Sequence, residues 1–163
     1  MAAEDADAAP RIKILLATRL DPPADVTARA AARLARDLRG ALVVLYVTEE
    51  LETVPRIATT TGTEEASVRE QILREVHERV EEFVRACCPA EAAVRVAEGD
   101  AVREIVRIAR EEGADYLVVG TQAHGVLREL VVGSTTHEIL RHAPCPVVVV
   151  PLRSTRSAGI DAP

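Results

Sequence analysis

The sequence predicts an α/β, doubly wound protein: a five-stranded parallel sheet with helices on both faces. Two observations carry this. Five short apolar runs rich in Val, Ile and Leu recur along the 163 residues, at 12–18, 41–47, 92–98, 114–120 and 145–151. Between them lie segments whose apolar residues repeat at helical spacing. Parallel strands need crossover helices and burial on both sides, so strands alternating with helices specify this class.

The elements follow in order. "IKILLAT" is the first strand, and "DPPAD" after it fits a helix start. In the first helix, from about 23 to 39, Val26, Ala30, Leu34 and Leu38 fall four apart on one face, with Gly40 as the stop. "ALVVLYV" is the second strand, and the polar "TEELETVPRIATTTGTE" reads as a long loop. From 64 to about 87, Val68, Ile72, Val76, Val80 and Val84 mark the longest helix, ended before Pro89. "AAVRVAEGD" supplies the third strand, and Asp100 caps a helix with inner residues Val102, Ile105, Val106 and Ala109, closed by Gly113. "ADYLVVG" is the fourth strand. A fourth helix, about 134–141, leads to the fifth strand, "CPVVVVP". Residues 1–10 read as a disordered lead, 11–151 as one domain and 152–163 as a flexible tail.

Composition narrows the function. Twenty Lys and Arg against 26 Asp and Glu give a net charge of -6, with the basic residues dispersed, which argues against nucleic acid. With no Trp, two Tyr and one Phe, there are no platforms for stacking bases. An odd count of three cysteines fits a reduced, cytoplasmic chain. The acidic, alanine-rich start lacks the pattern of a secretory signal, and no apolar run approaches the roughly 20 residues of a membrane span.

Ligand crevices in such sheets lie beyond the carboxyl ends of the strands, where the strand order reverses. With order 3-2-1-4-5 that point falls between the first and fourth strands, at the loops "TRLDPPAD" and "GTQAHGVLRELVVGST". The amides of Gly133, Ser134, Thr135 and Thr136 would face it with the positive end of the helix dipole, an arrangement suited to phosphate. The same glycines also fit plain strand-end and helix-cap roles. Neither the dinucleotide G-x-G-x-x-G nor the Walker G-x-x-x-x-G-K-[ST] pattern occurs.

The fourth strand with "GT", the loop and "VVGSTTHEILRHAPCPVVVV" together resemble the C-terminal signature of the universal stress protein family. "IKILLATRLDPPAD", "ALVVLYV" and "EGDAVREIVRIAREEGADYLVVGT" extend the resemblance over about 11–151. It implies a Rossmann-like sandwich in order 3-2-1-4-5, and a homodimer paired through the last strand, Pro146 to Val150. In the ATP-binding branch the loop follows G-x-x-G-x9-G-[ST]. By that resemblance Gly120, Thr121, Gly133, Ser134, Thr135 and Thr136 hold ATP, with Mg2+, in the crevice.

Two residues depart from the pattern. Ala123 stands at the second glycine. At positive φ an alanine costs about 1 to 2 kcal/mol, which lowers affinity roughly five- to thirtyfold. Gly125 offers flexibility for a shifted loop, or is an ordinary turn glycine. Arg19 follows the first strand where nucleotide-binding members carry an aspartate, and arginine cannot accept the hydrogen bonds an aspartate would. It clamps a phosphate, pairs with Asp21 or Asp25, or is a solvated surface residue.

No catalytic constellation is evident. His124 alone lies in the loop, His77, His137 and His142 have no ligand spacing, and Cys87-Cys88 is not C-x-x-C. The expectation is a stress-response regulatory or binding module that takes ATP or a related adenine nucleotide. Two alternatives stay open: a nucleotide-independent member acting through dimerisation and protein contacts, and a weak ATP hydrolase or other nucleotide enzyme.

Overall fold

In the first strand, β1 (Lys13–Ala17), successive side chains point to opposite faces, yet Ile14, Leu15, Leu16 and Ala17 are all buried. A strand buried on both sides must lie inside a sheet covered twice. The computed structural model, which describes residues 12–121 and 133–152, shows that arrangement. The remaining elements are α1 (Ala24–Asp37), β2 (Ala41–Thr48), a 3-10 turn (Glu50–Thr53), α2 (Val54–Thr61), α3 (Glu65–Cys87), β3 (Ala93–Glu98), α4 (Ala101–Glu111), β4 (Tyr116–Gly120), α5 (Ser134–His142) and β5 (Val147–Val150). The strand order is β3-β2-β1-β4-β5, all parallel, as expected. The expected lead at 1–10, the loop residues Ala123, His124 and Gly125, and the tail from 153 onward lie outside the described residues.

Two clusters fill the space above and below the sheet. Ile14, Leu16, Val44 and Val118 pack with the alanines of α1 and with Val76, Val80 and Val84 of α3. On the opposite face Leu15, Leu45, Leu117 and Val119 pack with Ile105, Ile108 and Ala109 of α4 and Ile139 of α5. Each fully buried Leu or Ile contributes about 1.5 to 3 kcal/mol relative to exposure, so the two faces share the load.

Several details correct the sequence-based expectation. The segment 48–64 is not a loop throughout: it forms the 3-10 turn and α2, whose Leu51, Val54 and Ala58 bury against Val68 of α3. Its run of β-branched threonines hides the helical signal, and each of Thr59, Thr60 and Thr61 hydrogen-bonds the carbonyl four residues back. The described chain therefore holds five α-helices rather than four.

The inner face of α1 is Ala24, Thr27, Ala28, Ala31 and Ala35, whereas Val26, expected inside, is 45% exposed. Small residues let the helix lie close to β1 and β4, which outweighs the larger apolar residues on the adjoining stripe. On α4, Ile108 takes the buried place expected of Val102, which is half-buried.

Gly40 is not the left-handed residue that ends α1; Arg39 is, at φ 52°. Gly40 serves close approach instead. A Cβ there would stand 2.5 Å from the Ile12 carbonyl oxygen and 2.6 Å from Ile14 Cδ1. Asp100 caps α4 as expected, its Oδ1 accepting from the Arg103 amide at 2.9 Å, and Gly113 follows at φ 61°.

Candidate functional site

The order reverses between β1 and β4, whose Ala17 and Val119 are register partners. Just beyond that pair stand Thr18 and Arg19 on one side and Gly120 and Thr121 on the other. The next stretch of chain, 122–132, leaves from Thr121 and returns at Gly133. Its two ends are fixed by two buried threonines. Thr121 donates its amide to the Val150 carbonyl at 3.0 Å, and its hydroxyl accepts from the Leu152 amide at 2.9 Å. Thr136 donates its hydroxyl to the Gly120 carbonyl at 3.2 Å. Leu152, placed by the sequence at the start of a tail, is thus tied to the fold.

Gly120 is glycine for a steric reason. A Cβ would meet Thr27 Oγ1 at 2.6 Å and Leu152 Cδ1 at 3.0 Å. The Thr27 hydroxyl is itself buried and has no hydrogen-bond partner among the described residues, a costly state for a polar group. Neither Thr27 nor Leu152 was singled out in the sequence. A threonine among the alanines of α1 is the only trace it leaves there.

At the other end of the loop, Gly133 is the N-cap of α5 in an extended conformation and brings no capping side chain. The first amide to close a helical bond is that of His137, to the Gly133 carbonyl at 2.9 Å. The amides of Ser134, Thr135 and Thr136 are therefore presented outward at the positive end of the helix dipole. No acidic residue sits in this first turn, while Arg141 and His142 occupy the last. Ser134 and Thr135 are exposed, with hydroxyls available to a ligand; Thr136 is 5% exposed and is spent on Gly120.

On the β1 side, Arg19 Nε bonds Asp21 Oδ1 at 2.9 Å, with the two side chains 60% and 56% exposed. Of the partners considered in the sequence, Asp21 is the one engaged, while Asp25 pairs with Arg29 at 3.6 Å. The β2 and β3 ends are closed differently: Arg79 binds Glu50, and Arg69 binds Glu98.

The structure thus brings Arg19, Gly120, Thr121, Gly133, Ser134, Thr135 and Thr136 to one end of the sheet. Ala123 lies outside the described residues. Among the described residues no group of three His, Cys, Asp or Glu is placed to hold a metal. Burial, with some effect of Cys87, pushes the Cys88 thiol up to about 11, and burial also raises Cys145, so neither is activated as a thiolate. A depression of about 790 Å3 runs along the seam of α4 and α5 past Val102, Val106, Arg107, Glu138 and His142, rather than over the ends of β1 and β4. A smaller one of about 240 Å3 lies between α1 and β5, lined by Ala30, Leu34, Val118 and Val148.

An open parallel sheet in this order, with helices on both faces, defines a doubly wound α/β protein. Within that class the chain belongs to the universal stress protein family, whose model matches residues 11–151. A universal stress protein of Thermus aquaticus is 30% identical over 126 residues, 77% of this chain and 90% of its own length. The universal stress protein YxiE of Bacillus subtilis is 35% identical over 54 residues, 33% of this chain and 36% of its own. A putative universal stress protein of Staphylococcus epidermidis is 43% identical over 44 residues, and the match spans 26% of its length.

Among solved structures, the Methanocaldococcus jannaschii protein MJ0577 superposes with a TM-score of 0.65 at 21% identity, covering 89% of this chain and 99% of that one. A universal stress protein in complex with cAMP gives 0.57 at 19% identity, covering 86% and 97%. One from Archaeoglobus fulgidus in complex with dAMP gives 0.57 at 19%, covering 85% and 96%. At these identities the likeness is one of fold.

Proposed function

We propose that this universal stress protein is a regulatory binding module that takes an adenine nucleotide in the crevice between β1 and β4, its phosphate on the first turn of α5. The observation that carries this reading is the uncapped start of α5. Three outward amides and two exposed hydroxyls stand there, with no acid in the turn, held against the end of β4 by the Thr136 to Gly120 bond. The cAMP and dAMP complexes of two structural neighbours support adenine as the base. With ATP as the guest, Mg2+ would arrive on the phosphates, and the hydroxyls of Ser134 and Thr135 are oxygen donors that fit a phosphate-bound ion. Occupancy of the crevice would alter a surface read by a partner protein in the cytoplasm.

The module works as a homodimer joined through β5. That strand is an edge of the sheet, Val148 is 36% exposed beside the apolar depression of α1, and an uncovered apolar edge seeks a partner strand. Thr121, at the mouth of the crevice, is bonded to Val150 and Leu152 at the end of that same strand.

The test is thermal unfolding of nucleotide-stripped protein with and without millimolar Mg-ATP. A ligand at about 100 times its Kd stabilises by about 2.7 kcal/mol, which raises Tm by several degrees. An unchanged Tm with ATP, ADP and AMP alike would contradict the reading.

A further inference from the structure

We infer that Arg19 sets the ligand class of the crevice, favouring an adenosine whose ribose itself carries a phosphate over one with free ribose hydroxyls. The inference rests on the crevice reading above and concerns its β1 side. Arg19 is two residues past Ala17, and Ala17 is paired with Val119 of β4, so Arg19 stands on the β1 rim of the crevice, beside the end of β4. Neighbouring strands are about 4.8 Å apart, so a nucleotide whose 5′-phosphate lies at α5 and whose sugar extends toward β1 brings that sugar to the Arg19 rim.

What the sugar meets there is decided by charge. A free ribose is best held by a carboxylate accepting from its hydroxyls, whereas an arginine nearby accommodates a ribose phosphate, the two alternatives found in dinucleotide-binding sheets. The carboxylate on this rim, Asp21, is already engaged by Arg19 Nε at 2.9 Å. Among the described residues the guanidinium makes no other bond, so its two terminal nitrogens remain to grip a phosphate as a planar fork. Because both partners are more than half exposed, the Arg19 to Asp21 pair is worth little and yields readily to a dianion. The crevice then presents two positive poles, the start of α5 and Arg19, to a ligand with two separated phosphates.

The test is calorimetric titration of the nucleotide-free full chain with AMP, ATP, adenosine 2′,5′-bisphosphate and adenosine 3′,5′-bisphosphate. It is repeated on Arg19→Asp and Arg19→Gln, with circular dichroism to verify folding. One of the bisphosphates should bind roughly tenfold tighter than AMP, and which one it is separates a 2′- from a 3′-phosphorylated adenosine as the natural chemistry. Both variants should lose that preference, the ratio of bisphosphate to AMP affinity falling to about one. Bisphosphates no tighter than AMP, or a preference that survives in both variants, would overturn the inference and leave the crevice reading standing. No binding of any adenine compound would remove both.

Discussion

The hydroxyl of Thr136 donates to the carbonyl of Gly120 at 3.2 Å, joining the first turn of α5 to the end of β4 across 16 residues of chain. This bond sets where the helix start faces. Replacing Thr136 with Val keeps the shape and removes the donor, and should cost about 1 kcal/mol, read as a lower urea midpoint. Thr135→Val, on the exposed side of the same turn, should stay within about 0.5 kcal/mol of the native chain.

Gly120 and Thr27 form a second coupled pair. Gly120→Ala puts a methyl group 2.6 Å from Thr27 Oγ1, with Leu152 also in the way, and should destabilise by about 1 to 3 kcal/mol. Thr27→Ala removes the obstructing hydroxyl, so the double variant should recover part of that loss. Additive penalties in a urea-denaturation cycle would contradict the packing described.

Much of this architecture was legible in the sequence. The five apolar runs gave the strands because a doubly covered sheet demands continuous apolar segments, and Asp100 and Gly113 marked α4 through ordinary capping chemistry. Two misplacements share a cause. The four-residue spacing of Val26, Ala30, Leu34 and Leu38 points to one face of α1, yet close packing on the sheet selects the neighbouring stripe of Ala28, Ala31 and Ala35. In the same way α2 was hidden by its threonines, and became a helix because Leu51, Val54 and Ala58 find Val68 in space. For the candidate site, the glycines and hydroxyls were visible as a pattern. The clamps were not, because Thr27 and Leu152 act through three-dimensional contacts with Gly120 and Thr121 that no local spacing encodes.

The edge of the sheet supplies another test. Val148→Lys places a charge on the exposed face of β5, where proteins commonly use lysine to prevent strand pairing. Light scattering should then give a monomer of unchanged circular dichroism for the variant and a dimer for the native chain. A native chain that is already monomeric at micromolar concentration would remove the dimer from the account.

Cys88 makes stability depend on alkaline pH. Its thiol is pushed from 9.0 up to about 11, mainly by burial. A raised value in the folded state means that the unfolded chain releases its proton first, so stability is complete below about pH 9 and is lost as pH rises toward 11. Cys88→Ala should flatten that decline in urea midpoint between pH 8.5 and 10.5, where the two states differ in bound protons. A decline of equal slope in the variant would assign it to other groups.

The central claim, that the crevice between β1 and β4 binds an adenine nucleotide through the start of α5, is met most directly by calorimetric titration of stripped protein with Mg-ATP. The account predicts saturable heat at one nucleotide per chain, with Mg-GTP markedly weaker. Absence of heat with millimolar ATP, ADP and AMP, in a preparation that is folded and carries no residual nucleotide, would contradict it.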